Sequence, residues 1–295
     1  MTEDGAKPST WLGLSFLFLI LGSPLIAQAT DDVAVPFIAS TRNDVVLFMG
    51  VGLADYTEDV SIDPATSDWS APYAEFGAVW VYRDPTKYKL RLRGEYWDSD
   101  NDTEEWSVDG GVVQRNSLQI SGFDVSAEFG YGFAGSTGKT LDTWIGLAYR
   151  RQDFDRSRFR LTMDEDPAQD SSVEESYDIG LASVSVDFAI PLGTRWEVAG
   201  LANVGFVFSN EADNGLFGTV QGDGGTVIEL AAMAEYHVTP EQSVGLGLRY
   251  DFQQLDGDAV NSVIIVEDTL FQSVTEWPDN ELQRISLDAY WRVRI

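Results

Sequence analysis

The sequence predicts an all-β protein, a closed antiparallel up-and-down transmembrane β-barrel of ten strands. Three observations favour this fold. Apolar and polar residues alternate over ten segments, the spacers between these segments are long and short in turn, and an apolar export signal precedes the first segment. Strands of a membrane barrel show such alternation because one face meets lipid and the other meets the lumen.

The alternation is clearest in segment 282–295. Its odd-numbered residues from Ile285 to Ile295 are apolar or aromatic, whereas Asp288 and Arg292 lie on the other parity. Successive side chains of a strand point to opposite faces, so the pattern separates a lipid-facing set from a lumen-facing set. Aromatic residues near the ends of the lipid-facing sets are typical of interfacial girdles. The girdle residues predicted in this way are Tyr73, Trp80, Tyr82, Tyr88, Tyr96, Tyr131, Trp144, Trp196, Tyr236, Tyr250 and Trp291.

The spacers determine the predicted topology. The ten predicted strands are 45–56, 72–83, 87–97, 117–133, 141–156, 176–191, 195–208, 225–238, 242–256 and 282–295, and the spacers between them have lengths of 15, 3, 19, 7, 19, 3, 16, 3 and 25 residues. Long outside loops and tight periplasmic turns, with both termini on one side, are typical of membrane barrels with an even strand number. The five long spacers contain 25 Asp and Glu residues but only 3 Lys and Arg, so we expect an acidic extracellular face. Within the last spacer, Val260 to Val266 predicts either an extension of the flanking strands or a small hairpin.

An export signal precedes the predicted barrel. Residues Trp11 to Ile26 form an apolar run that ends at Ala27-Gln28-Ala29, a small-X-small cleavage pattern. The alternative is an uncleaved anchor, but the run is shorter than the roughly 20 residues of a spanning helix. The sequence therefore predicts a signal peptide over 1–29, a periplasmic leader over 30–43 and a barrel over 44–295, located in the cell outer membrane after export.

Composition excludes several classes of function. Asp and Glu number 48 against 19 Lys and Arg, a formal net charge of −29, whereas nucleic-acid binding needs a basic face. Cysteine is absent, so the chain has no disulfide and no thiolate nucleophile or metal ligand. The expected partners are outer-membrane lipid and lipopolysaccharide, together with periplasmic chaperones and the barrel-assembly machinery, with no nucleic acid. The sequence does not indicate an extracellular partner.

The mature chain resembles bacterial outer-membrane β-barrel proteins as a class. The resemblance depends on the Ala27-Gln28-Ala29 cleavage site, on the alternation, and on the final segment LQRISLDAYWRVRI, which is similar to the insertion signal of such barrels. Those barrels usually end in Phe or Trp, whereas this chain ends in Ile295. The segment Tyr236-His237-Val238-Thr239-Pro240 also resembles their periplasmic turns.

In strand number and length the chain resembles the omptins, which are surface proteases. The omptin resemblance implies an Asp pair and an Asp–His pair at the extracellular rim. The single histidine of this sequence, His237, lies beside a turn that we predict at the periplasmic end. No omptin catalytic residue is therefore carried over, and Ser-His or Cys-His catalysis lacks its components as well.

Charged residues on the lumen-facing parity form the first candidate site. They are Glu75, Arg83, Lys89, Arg91, Arg93, Asp124, Glu128, Arg150, Arg249, Asp251, Asp288 and Arg292. Buried charges need partners, so one interpretation is a neutralised network that plugs and stiffens the barrel. The other interpretation is a narrow path for ions or small solutes. Acidic residues expected on the wall opposite the basic strand are Asp187, Glu197, Glu229, Glu235, Asp251 and Asp288.

Two further candidates lie in the predicted loops. Asp98, Asp100, Asp102 and Glu104 place carboxylates at alternate positions, a pattern that favours Ca²⁺ if they converge and a solvated acidic loop if they do not. No other cofactor is predicted. The loop aromatics are Trp69, Trp106, Phe271 and Trp277, which either form a binding surface or cover the top of the barrel.

The sequence therefore predicts a non-enzymatic outer-membrane barrel with a structural or surface-interaction role. A narrow, porin-like channel for ions or small solutes is the alternative. An omptin-like surface hydrolase is a third class, which would require an acidic pair that works without histidine.

Overall fold

The computed structural model describes residues 43–60, 65–134, 139–162, 169–214, 218–257, 259–266, 269–276 and 278–295. The predicted signal peptide, 1–29, and the predicted leader, except Asn43, lie outside these residues and stay predictions. Within the described part of the chain, no helix is long and apolar enough to cross a membrane.

The described residues form fourteen strands. They are β1 (Asp44–Val60), β2 (Ala65–Arg83), β3 (Tyr88–Ser99), β4 (Asp102–Val108), β5 (Gly111–Ala134), β6 (Thr140–Leu161), β7 (Gln169–Leu192), β8 (Trp196–Asn214), β9 (Gly218–Gln221), β10 (Gly224–His237), β11 (Gln242–Asp256), β12 (Ala259–Val266), β13 (Thr269–Glu276) and β14 (Asp279–Arg294).

Ten strand positions close into a barrel. Around the ring the order is β1, β2, β3, β5, β6, β7, β8, β10, β11 and β14, and each strand is antiparallel to its neighbours. Closure comes from β1, which pairs with both β2 and β14. The predicted closed, up-and-down, ten-stranded antiparallel barrel is therefore confirmed.

Two short strands extend existing strand positions. β4 continues β3, because both lie between β2 and β5, and one extra residue near Asp100 and Asn101 shifts the register by one. Such a bulge bends a strand without ending the sheet. β9 continues β10 beside β8 in the same register. β12 and β13 form a separate two-stranded sheet, so the stretch Val260 to Val266 forms the hairpin and not an extension of the flanking strands.

The two ends of the barrel differ. At the turn end, Asp84 to Lys87 connects β2 to β3, and the first and last described residues meet through Asn43 N–H to Ile295 O at 3.1 Å and Ile295 N–H to Asn43 O at 2.8 Å. At the loop end, the strands run much further than we predicted. The spacers 57–71, 98–116, 157–175 and 209–224 are largely strand and not loop.

One of these loop-end hairpins shows how tightly the extension turns. β4 and β5 are joined by the two residues Asp109 and Gly110, both with positive φ, 52° and 76°. Two-residue connections of this kind match the twist of paired strands, and Asp-Gly is a preferred sequence for them.

The polarity of the strand faces changes along the barrel. On β1 the outward residues from Leu47 to Leu53 are exposed and apolar, and the next outward residue is Asp55. On β6 the apolar outward residues end at Tyr149 and are followed by Arg151. These runs form an apolar band about as long as the 9–11 residues of a membrane-spanning strand. The loop-end halves of the strands lie beyond this band.

Beyond the band the pattern is inverted. Outward residues become polar, whereas inward residues such as Tyr56 on β1 and Phe154 on β6 become apolar and buried. This change of phase explains why the sequence pattern predicts loops where the structure has strands. Two predicted girdle residues are also placed differently, since Tyr73 and Trp144 are buried inside the barrel.

Candidate functional site

The barrel interior holds three successive layers. From the turn end these are a cavity, a network of ion pairs and a packed apolar core. The layers correspond to different inward residues on the same strands, so the alternation of each strand positions all three.

The central ion network surrounds Glu95 of β3. Arg93 contacts this carboxylate at 2.7 Å, Arg249 of β11 at 2.5 Å and Arg284 of β14 at 3.5 Å. Glu95 is 5% exposed and Arg284 is 2% exposed. Three guanidinium groups from three strands therefore converge on one buried carboxylate.

The same network crosses the lumen. Arg93 on β3 pairs with Glu229 on β10 at 2.6 Å, and these strands lie opposite each other in the ring. Arg150 on β6 pairs with Asp251 on β11 at 3.0 Å and with Asp124 on β5 at 2.9 Å. The void within this layer measures about 60 Å³. Ion pairs therefore bridge the barrel at mid-height and leave room for little more than water.

The remaining charged residues of the predicted set lie in this layer or closer to the turn end. Glu75 pairs with Arg249, and Asp288 lies 3.6 Å from the same guanidinium. The ion pairs closer to the turn end are Arg83 with Asp44 at 2.8 Å, Lys89 with Asp142, Arg91 with Glu128 and, at 2.6 Å, with Asp187, and Arg292 with Glu235 at 3.2 Å and Glu197 at 3.7 Å.

Sequence reasoning missed Glu95, Arg284 and Asp142. All three lie on the lumen-facing parity of strands whose other charges were selected. The lumen-facing parity alone therefore identifies these residues.

Above the ion network, the interior is filled by a loop-end core. Its fully buried members include Trp97, Leu118, Ile120, Tyr177, Ile179, Leu255 and Leu282. The rings of Tyr56, Phe154 and Tyr177 contact one another in series, with centroid distances of 4.9 and 5.2 Å. The loop-end half of the barrel is therefore packed like the interior of a soluble protein.

The four predicted loop aromatics have different surroundings in the structure. Trp69 is 4% exposed and donates its indole N–H to the carbonyl of Leu118 at 3.0 Å. Trp106 is half-buried on β4. Phe271 and Trp277 have side chains outside the described set. Trp69 is therefore an internal residue and not part of an exposed aromatic surface.

Arg156 forms a second, separate charged cluster at the loop end. Its guanidinium lies 3.0 Å from Glu58, 3.0 Å from Glu104 and 2.9 Å from Glu175. The three carboxylates come from β1, β4 and β7, and all are at least nine-tenths buried. One cation therefore serves three buried carboxyl groups, which favours keeping a proton on one of them.

The pKa values in this Arg156 cluster identify Glu58 as the carboxyl group that keeps a proton. Burial raises the pKa of Glu58 to about 7, with added repulsion from Glu175 and Glu104, because the attraction of Arg156 only partly opposes these effects. Glu58 also accepts a hydrogen bond from the hydroxyl of Tyr56. Although burial disfavours its charge, Glu104 has a lowered pKa because of Arg156 and its other hydrogen-bond donors.

The four predicted calcium ligands are separated in the structure. Glu104 points inward and accepts hydrogen bonds from Ser67 at 2.6 Å and Arg156, whereas Asp100 and Asp102 are exposed. Across the described ranges, no group of three or more His, Cys, Asp or Glu residues is placed to hold a metal ion. Glu104 therefore lies in the interior with Arg156, away from the exposed Asp100 and Asp102, and Ca²⁺ binding by these residues stays a prediction.

Below the ion network lies the turn-end cavity, with a volume of about 350 Å³. Inward residues of β1, β2, β8, β10 and β14 line it, together with the turn residues Asp84 and Lys87. The single histidine is at the same end. His237 is the last residue of β10, and its backbone N–H donates to the carbonyl of Arg195 at 2.8 Å.

Comparison with known proteins supports the fold. No family model matches the chain. The outer membrane protease OmpT from Escherichia coli has a similar structure, with a TM-score of 0.63 and 10% sequence identity over 86% of this chain and 97% of that one. At this identity the likeness shows the ten-stranded outer-membrane barrel fold alone.

Other matches are weaker. The transport unit of the autotransporter AIDA-I from Escherichia coli has a TM-score of 0.44 and 9% identity over 96% of this chain and 98% of that one, too low for a comparison of sites. A leucine–tRNA ligase from Pectobacterium atrosepticum is 27% identical over 181 residues. That match covers 52% of this chain and 21% of the ligase, so the chain spans about a fifth of the ligase and the match does not establish a family.

Proposed function

We propose that this chain is a non-enzymatic barrel of the outer membrane that presents a rigid acidic surface outside the cell. The observation that supports this most is the closed interior. The ion network bridges the lumen at mid-height, and the loop-end core fills the space above it. At the loop end, what remains available for interaction is the outer surface of the long strands.

The orientation is part of the proposal. The turn end, with its short connections and both barrel termini, faces the periplasm, as is usual for such barrels. Outer-membrane lipid and lipopolysaccharide then surround the apolar band. Chaperones and the barrel-assembly machinery are the partners during export.

Charge supports an interaction role for the loop end. Exposed carboxylates lie on the outward faces and turns of the extended strands, at Asp55, Asp59, Asp68, Asp100, Asp102, Asp109, Asp153, Asp155, Glu174, Glu211 and Asp213. A surface with one dominant sign of charge attracts a partner of the opposite sign and accelerates its association. The extracellular partner we propose therefore has a basic surface.

The surface role is tested by replacing Asp55, Asp59 and Asp68, which are exposed on the neighbouring strands β1 and β2, with Asn and measuring binding of barrel-containing vesicles to an immobilised basic protein. We expect retention that falls with added salt and that the three substitutions reduce severalfold, because like charges at the loop end act together within the screening length. The heat-dependent gel shift of the folded barrel is the control. Retention that does not change with salt concentration contradicts the proposal.

A channel role is the second candidate, and the turn-end cavity favours it because half of the lumen is open. Planar-bilayer recordings separate the two. We expect no unitary conductance from the purified barrel, because the 60 Å³ void leaves no continuous path. Steady conductance that changes with Arg91→Ala or Arg93→Ala would establish the channel instead.

A further inference from the structure

The turn-end cavity has the dimensions of a small-molecule site. Its volume of about 350 Å³ falls in the range of ligand pockets, roughly 300–1,000 Å³. The lining begins at the turn residues Asp84 and Lys87 and ends at Arg93 and Glu229, whose 2.6 Å ion pair crosses the lumen. The cavity is therefore a blind pocket entered from the turn end.

Two walls of the pocket are apolar. Inward residues on one wall are Val46 and Phe48 of β1 with Val79 and Val81 of β2, and those on the other are Ala199 and Leu201 of β8 with Ala231 and Met233 of β10. These strand pairs lie on opposite sides of the ring. Barrel lumens are usually polar, so facing apolar walls indicate a place for the apolar body of a ligand.

The charge of the lining limits the charge of that ligand. Eight Lys and Arg side chains and seven Asp and Glu side chains line the pocket. The same cations also pair with carboxylates outside this set, Arg91 with Glu128, Arg93 and Arg249 with Glu95, and Arg292 with Glu235. The pocket region therefore has no excess of positive charge, so a polyanion is not favoured, and a ligand with one acidic group must be held by hydrogen-bond donors that have no other acceptor.

Two buried hydrogen-bond donors near the mouth of the pocket, both on β14, have no hydrogen-bond acceptor in the described part of the chain, although the other nitrogens of Arg292 pair with Glu197 and Glu235. Tyr290 is 7% exposed, and neither its hydroxyl nor the Nε of Arg292 has a hydrogen-bond partner among the residues the structure describes. One oxygen each of Asp44, Asp187 and Asp288 also lacks a partner, but all three carboxylates lie within 4 Å of an arginine. Buried donors without acceptors are rarer than acceptors with unused lone pairs.

We propose that the turn-end cavity binds a small carboxylate with an apolar body. The carboxylate accepts hydrogen bonds from Tyr290 and Arg292 near the mouth, and the apolar body lies between the β1–β2 and β8–β10 walls. The ligand enters from the turn end, so this site is separate from the acidic surface at the loop end and does not depend on the function proposed for that surface.

The test uses the whole barrel in phosphatidylcholine nanodiscs, titrated with decanoate against empty nanodiscs as the blank. We expect saturable binding of about one decanoate per barrel and much weaker binding of decanol, which lacks the charge. Ala231→Phe fills the cavity and should abolish saturable binding. Ala232→Phe, one residue along and facing lipid, is the matched control and should bind like the parent.

A second variant changes no volume. Tyr290→Phe removes only the hydroxyl and should weaken decanoate binding about tenfold, as the loss of a hydrogen bond to a charged group predicts. The gel shift of the folded barrel is checked for each variant. The proposal is overturned by binding no greater than the blank, by folded Ala231→Phe that binds as the parent does, or by decanol that binds as tightly as decanoate.

Discussion

The two halves of the barrel interior are filled by different kinds of side chain. Both are built from inward residues of the same strands, but the loop-end half is filled by aromatic and aliphatic side chains, whereas the turn-end half holds paired charges around a cavity. The difference follows the surroundings. Beyond the apolar band the outer surface meets water, so burial inside is the only source of hydrophobic stabilisation there. Within the band, the outward face is already in lipid.

The largest effect we expect comes from the Arg156 cluster. Arg156→Leu leaves three buried carboxyl groups without their cation and should lower the free energy of unfolding by about 3–5 kcal/mol, as for other broken buried pairs. Urea unfolding followed by tryptophan fluorescence measures this. Arg151→Leu is the control, since Arg151 faces outward and its pairs with Asp153 and Asp178 are exposed. Equal losses in the two variants contradict the assignment.

A matched pair of leucines compares the two halves directly. Leu118 is fully buried in the loop-end core, and Leu118→Ala should lower the free energy of unfolding by about 2–5 kcal/mol because it creates a cavity. Leu201 is only half-buried and borders an existing cavity, so Leu201→Ala should cost about 1 kcal/mol, because fewer of its groups leave an apolar environment and no new void forms. Losses of similar size would mean that the turn-end half is packed as tightly as the other.

Glu58 gives the loop end a pH dependence. Its pKa is about 7 in the folded barrel and 4.5 in the unfolded chain, so between these values only the folded state holds the proton. The contribution of Glu58 to stability therefore falls as pH rises from about 4.5 to 7, by on the order of 2 kcal/mol. Glu58→Gln should remove this slope, whereas Glu105→Gln, at an exposed pair with Arg115, should keep it. The free energies of unfolding of the parent and both variants, measured at pH 5 and pH 8, test this dependence.

The smallest effect concerns the turn of the β4–β5 hairpin. Gly110 has a φ of 76°, so Gly110→Ala should lower the free energy of unfolding by about 1 kcal/mol. Gly111 is the adjacent control, because its φ is not in the left-handed region and an added Cβ meets nothing closer than 3.6 Å. Thermal unfolding of both variants is the measurement. An equal shift for Gly111→Ala would exclude the conformational explanation.

The alternation within the apolar band was sufficient to predict the number of strands and their antiparallel order, because lipid imposes one polarity on the whole outer face. It was not sufficient for the loop-end strands. There the apolar parity changes from outward residues such as Leu53 to inward ones such as Tyr56, and a search for one fixed parity interprets the change as a loop. A search that allows the apolar residues to change face once within a strand would find both the strands of the apolar band and their loop-end extensions.

The candidate sites follow the same division. Inward charges such as Arg93 and Arg150 could be selected from parity alone, since any charge inside the band must face the lumen. Their pairing could not, because Arg93 and Glu229 are separated by 136 residues and meet only through barrel closure. The placement of Glu104 apart from Asp100 and Asp102 could not be predicted for a related reason. The bulge near Asp100 breaks the period on which the Ca²⁺ prediction depended.

The pairing of β1 with β14 also has a consequence for assembly. Every other pair of neighbouring barrel strands is also consecutive along the chain, so hairpins can form one at a time, whereas β1 pairs with β14 from the far end of the chain. Until that contact forms, two strand edges are unpaired, and each is able to pair with the edge of another molecule. Until β1 pairs with β14, the barrel is therefore open to domain exchange at these two edges. Their pairing leaves no strand edge of the described barrel free to bind another molecule.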